Sequence, residues 1–134
     1  MTAHRMRVML VVWLVGFGLA ATVTAQPRSF DPERMKERLY EQAEDLLKKM
    51  ELDEATAEKV RPILLAGVDR RMALMRELRG TRPAPGVMQE KMTEIDRETE
   101  AQLAGVLTEA QLETYRKLRD EQRAAARRGM RRRN

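Results

Sequence analysis

The sequence predicts an all-α protein, a four-helix arrangement of long-helix hairpins. Three observations predict it. Apolar residues recur at steps of three and four through most of residues 31–122, the period of a helix with one buried stripe. No stretch alternates apolar and polar residues for long, and β-branched residues are few. Capping and breaking residues divide the pattern into four segments.

The chain of 134 residues opens with His4, Arg5 and Arg7 and then an uncharged apolar run, Val8 to Ala21. Thr22-Val23-Thr24-Ala25-Gln26 follows, with Val23 and Ala25 as the small residues a signal peptidase accepts. Residues 1–25 therefore read as an export signal and 26–30 as a linker. The 14-residue run spans about 21 Å as a helix, against roughly 30 Å for a hydrocarbon core. A cleaved signal is favoured over an anchor that recruits Ala20 to Ala25, and either places the remainder outside the cytoplasm.

Asp31-Pro32-Glu33 is a helix start, with a carboxylate at the cap, proline at the first helical position and an acid at the positive end of the dipole. This first helix runs to about Met50, with Met35, Leu39, Ala43, Leu46, Leu47 and Met50 on one stripe. Asp53 caps the second, whose apolar side holds Val60, Leu64, Val68, Met72, Met75 and Leu78. Pro62 inside it removes one backbone hydrogen bond and predicts a kink near Glu58 to Pro62 rather than a break. Gly80 to Gly86, with two prolines and two glycines, is a loop. Helix three spans about Val87 to Val106, with Met88, Met92, Ile95, Thr99 and Leu103 on one face. Helix four starts at Thr108, carries Leu112, Tyr115 and Leu118, and grades into an arginine-rich tail at 123–134.

Removing the signal leaves 109 residues with neither His nor Cys. That composition excludes imidazole bases, thiolates, Ser-His and Cys-His nucleophile pairs and the usual zinc ligands. No enzyme and no cofactor is expected. The formal charge of +5 is a property of the tail: six arginines stand in the last twelve residues, and 26–122 carry 18 basic against 21 acidic residues. Three aromatics after the signal are too few for nucleic-acid recognition. Membrane contact is expected only through the signal or the basic tail, and without disulfides helix packing is expected to be helped by self-association.

Leu107-Thr108-Glu109-Ala110-Gln111-Leu112 encodes a capping box, in which Thr108 accepts from the Gln111 N–H while the Gln111 side chain returns to the Thr108 N–H. Leu107 and Leu112 can close over it as a hydrophobic staple. Leu52-Asp53-Glu54-Ala55-Thr56 repeats the shape in degenerate form, since Thr56 is too short to return the bond. Two helix, capped turn, helix units joined by a Pro/Gly loop behind an export signal resemble the LTxxQ-motif family of bacterial envelope proteins. That family includes the Spy and CpxP stress proteins, the zinc-resistance-associated protein and periplasmic heavy-metal sensor or resistance proteins. The resemblance covers about Glu33 to Gln122 and matches the motif fully at Leu107, Thr108 and Gln111. It implies a long-helix hairpin that dimerises into a curved shell. It also implies a role in ATP-independent binding of unfolded or partner proteins, in restraining a sensor kinase, or in metal resistance.

On that expectation Met35, Leu39, Met72, Met75, Met88 and Met92 form the candidate partner-binding face, since unbranched thioethers suit a surface that accepts varied partners. The same methionines fall on the packing stripes, where they serve as core filler, and Met72 with Met75, or Met88 with Met92, have the spacing that would let two thioethers meet one soft Cu(I) ion, the alternative reading. Glu33, Glu37, Glu41 and Asp45 on helix one, and Glu90, Glu94 and Glu98 on helix three, make two acidic ridges. Arg34, Arg38, Arg70, Arg71, Arg76 or Arg79 can neutralise them. The ridge at Glu90, Glu94 and Glu98 is the weak alternative as a hard-cation site, because the histidines that some family members use for metal are missing here. Tyr40 and Tyr115 are expected as packing residues with solvated hydroxyls.

Overall fold

The structure, a computed structural model, describes residues 30–133. The expected signal at 1–25 and all of the linker but Phe30 lie outside the described residues. Four helices form: α1 (Pro32–Lys49), α2 (Glu54–Leu78), α3 (Val87–Ala104) and α4 (Glu109–Arg131). There is no strand among the described residues, and no helix among them is long and apolar enough to cross a membrane.

Local chemistry accounts for each boundary. The Asp31 carboxylate accepts from the backbone N–H groups of Glu33 (3.0 Å) and Arg34 (3.4 Å), with Pro32 following at the first helical position. Asp53 accepts from the Thr56 N–H at 3.2 Å and starts α2. The Thr56 hydroxyl first, and then that backbone bond, hold the Asp53 carboxyl below its ordinary range. The turn between α1 and α2 is tight enough to place Glu51 at φ 53°, a left-handed conformation that costs a non-glycine residue about 1 kcal/mol or more. α2 continues unbroken through Pro62, as a single lost hydrogen bond permits. Gly86 adopts φ 91° ahead of α3, which starts without a side-chain cap. Helix three ends at Ala104, two residues before the expected Val106, because Gly105 and Val106 donate back to Gln102 and Leu103 in a closing turn.

Sequential helices are antiparallel neighbours. α1 packs on α2 and α4, α3 packs on α2 and α4, and the diagonal pairs do not approach. The two capped turns therefore share one end of the bundle. From that end the core extends along the helices through Ala43, Leu46, Leu47 and Met50 of α1, Val60, Leu64, Val68 and Met72 of α2, Leu103 and Leu107, and Leu112 and Tyr115 of α4. Val60 and Leu103 are sealed completely.

α2 and α3 are in close contact at Gly67, where a side chain would meet the Thr99 hydroxyl at 2.9 Å. The burying of Gly67 and Thr99 follows from that contact, since only a missing Cβ lets the Thr99 oxygen sit against the α2 backbone.

Candidate partner-binding surface

The capping box at Thr108 is closed from both sides. Its backbone N–H donates to Gln111 Oε1 at 3.0 Å, and the Gln111 N–H donates to Thr108 Oγ1 at 3.2 Å. Leu107 and Leu112 on either side are both buried in the core. The turn at Leu52 and Asp53 carries the one-way cap described above, with Leu52 packed against the core. These residues set how α3 turns into α4 and α1 into α2.

The candidate face divides. Met72 is 6% exposed and belongs to the core, which corrects its assignment to the surface. Met35, Leu39 and Met75 are half-buried and lie against that core. Phe30 and Pro32 close over Met72 and Met75 around a small crevice, with the Arg79 guanidinium 5.4 Å from the Phe30 ring centroid. Met88 and Met92 sit in the first half of α3, half-buried and outside the main cluster. α4 decides what stays open. It buries only Leu112 and Tyr115, and every residue from Arg123 to Arg133 is exposed. The halves of α1, α2 and α3 remote from the capped turns have no fourth helix over them.

An ion-pair ladder docks α4 where it does pack. Asp96 of α3, its side chain 13% exposed, pairs with Arg71 of α2 and Arg123 of α4. Glu100, one turn on, accepts from Arg116 (2.5 Å) and Arg119 (2.9 Å). Its carboxyl is held below the usual range, first by Arg116 and then by Arg119. The Arg119 guanidinium lies 5.6 Å from the Tyr115 ring centroid, a cation–π geometry, and burial pushes the Tyr115 hydroxyl above its ordinary pKa. The Gln122 amide donates to the Gln42 carbonyl at 3.0 Å, tying α4 to α1. Arg123, counted with the tail in the sequence pattern, is thus part of the helix docked on α3, and the helix continues through Arg131.

This ladder escaped the sequence pattern. Its signal was there in the spacing: Asp96 and Glu100 stand four apart on α3, and Arg116, Arg119 and Arg123 recur at three and four on α4. That pair of opposite stripes becomes legible only once α3 and α4 are known to be neighbours. Buried Leu74 was also missed.

The acidic ridges fare differently. Glu98 pairs with Arg70 at 2.6 Å, whereas Glu90 and Glu94 are exposed and have no ion pair among the described residues. Among the described residues no cluster of three or more His, Cys, Asp or Glu is arranged to hold a metal ion. On α1, Asp45 pairs with Lys49 at 2.8 Å, and Arg34 turns to Asp31 at 3.3 Å rather than to the ridge. Tyr40 donates its hydroxyl to Asp69 at 2.7 Å, an exposed bond that links α1 to α2. That bond is the main cause holding the Asp69 carboxyl low, and Lys36 adds an ion pair at 3.4 Å.

The chain matches no family model, no curated protein and no solved structure.

Proposed function

We propose that this chain is an exported, non-catalytic helical binding protein of the envelope-stress type, which holds unfolding or partner proteins on an apolar surface without ATP. The observation that carries this reading is the set of half-exposed side chains Met35, Leu39, Met75, Met88 and Met92, on helix halves that α4 leaves uncovered. Thioether and leucine side chains at such positions offer dispersion contacts without directional demands, so one surface can accept many sequences. Charged residues around them, including Arg76, Arg79, Glu90 and Glu94, keep the apolar area small enough for solubility and give an encounter surface for polar segments of a client. Self-association is part of the same reading, since a chain of this size without disulfides gains stability by burying more apolar surface.

The test is suppression of light scattering by an unfolding client, with no nucleotide added. The protein from Gln26 onward is expected to suppress aggregation at near-stoichiometric ratio. Met88→Ser with Met92→Ser, at positions outside the main core, is expected to lower that suppression while leaving the circular dichroism spectrum unchanged. Absence of suppression by the unmutated protein at several-fold excess refutes the proposal.

A further inference from the structure

Two charge ridges of opposite sign and equal pitch remain unmatched on the described surface. On α1, Glu33, Glu37 and Glu41 stand four residues apart and line an open groove of about 680 Å³, together with Glu44 and Asp45. Glu44 is paired with Arg61 at 2.9 Å and Asp45 with Lys49 at 2.8 Å. Of the two lysines that line the same groove, Lys36 is engaged by Asp69, and Lys48 stands at the end remote from Glu33. Glu33, Glu37 and Glu41 have no ion pair among the described residues. At the far end of α4, Arg127, Arg128, Arg131 and Arg132 are exposed and also have no ion pair among the described residues.

Like charges four apart on a helix repel, so each ridge is unfavourable alone. α4 is helical through Arg131, and four residues of helix rise about 6 Å. Arg127 with Arg131, and Arg128 with Arg132, therefore repeat at the spacing of Glu33, Glu37 and Glu41. Within one chain they do not meet. α4 contacts α1 on the Gln42 side and then leaves it, whereas the three glutamates lie away from the stripe of Met35, Leu39, Ala43 and Leu46 that faces the core.

We propose that the arginine end of α4 docks in the acidic groove along α1 of a second copy of this chain. Each molecule carries one groove and one arginine end, so a two-fold arrangement exchanges both and closes as a dimer. This rests on the self-association in the reading above and names the contacts that make it. The pairs lie at the surface, so the association weakens as salt rises.

The experiment uses two charge reversals in the protein from Gln26 onward: E33K/E37K/E41K, which makes the groove basic, and R127E/R128E/R131E/R132E, which makes the helix end acidic. Sedimentation equilibrium at low and physiological salt reads the result, with circular dichroism checking that the helices are kept. The unmutated protein is expected to dimerise more weakly as salt rises. Each variant alone should lose affinity by roughly ten-fold or more, because several exposed pairs worth a few-fold each turn repulsive. An equimolar mixture of the two variants should recover the dimer, since each groove then meets an end of opposite charge. Single variants that dimerise like the unmutated protein, or a mixture that stays monomeric, overturn the proposal. A dimer indifferent to all the reversals leaves self-association standing and removes this contact, whereas a monomeric unmutated protein removes both. Binding of that monomer to vesicles containing phosphatidylglycerol, lost in the arginine reversal, would assign the helix end to a lipid surface instead.

Discussion

Gly67→Ala should destabilise this protein even though alanine is the better helix former. Gly67 lies inside α2, where replacing glycine by alanine gains about 1 kcal/mol in an unobstructed helix. Here the new Cβ would lie 2.9 Å from Thr99 Oγ1 and 3.5 Å from Thr99 Cγ2. Thr99 is 5% exposed, and its hydroxyl is engaged twice. It donates to the Ile95 carbonyl at 2.9 Å and accepts from Arg70 Nη2 at 3.2 Å. Turning the oxygen away breaks both bonds, so α2 and α3 must separate instead. Overpacking of this kind costs about 1–3 kcal/mol, which leaves a net loss of about 1 kcal/mol, or about 4–8 °C in Tm for a domain of this size. Thr99→Ala alone should cost about 1–2 kcal/mol, because Arg70 loses an acceptor and its Nε is already buried without a partner. In the Thr99→Ala background the obstructing atoms are gone. Gly67→Ala should then stabilise by about 1 kcal/mol, a coupling of roughly 2 kcal/mol between the two positions. Urea denaturation of the four proteins, followed by circular dichroism, measures the cycle. If Gly67→Ala stabilises the unmutated protein as much as it stabilises the Thr99→Ala variant, the close approach of α2 and α3 is wrong.

Thr108→Ala removes the acceptor for the Gln111 N–H and one half of the capping box, and should lower unfolding free energy by about 0.5–2 kcal/mol, measured in the same urea titration. Glu100 gives the stability a pH signature. Its carboxyl is depressed in the folded state, so the stabilisation it contributes is complete above the unfolded carboxyl range, near the ordinary value of 4.5. It is lost as pH falls from there through the lower folded value. Glu100→Gln should lower Tm at neutral pH and flatten its decline between about pH 5 and pH 3; parallel acid limbs for the two proteins would remove Glu100 from the docking of α4.

Much of the architecture was legible in the chain because its determinants are local. Asp31-Pro32, Asp53 and the Thr108 to Gln111 box satisfy helix-end N–H groups within three residues, and the paired glycines and prolines of 80–86 end a helix wherever they occur. The apolar stripes of α1 and α2 were legible for the same reason, since period alone puts Leu46, Val60, Leu64 and Val68 on one side. The candidate surface was legible only as a group of methionines. Periodicity places Met72, Met75, Met88 and Met92 on apolar stripes without saying how deep each lies, because depth depends on which helix passes over it. The Asp96 and Glu100 ladder was invisible for a related reason: residues 96 and 123, or 100 and 116, acquire a relation only when two separate helices are laid side by side.

The sequence by itself determined that the chain folds as helices, where each begins, where the first three end to within two residues, and which chemistry it lacks once residues 1–25 are set apart. These follow from backbone hydrogen bonding at caps, from helical period and from composition, all of which act over a few residues or over none. Tertiary structure decided which helices are neighbours, and with that the fate of individual side chains. Met72 went inside, Met88 and Met92 stayed at the edge, Arg123 joined the docked part of α4, and Glu98 went to Arg70. The physical reason is that burial and ion pairing are properties of two surfaces at once. A helix carries its own caps and stripe wherever it goes, but how much of that stripe meets water depends on the length over which a neighbour stays in contact, and α4 parts from the bundle at Arg123.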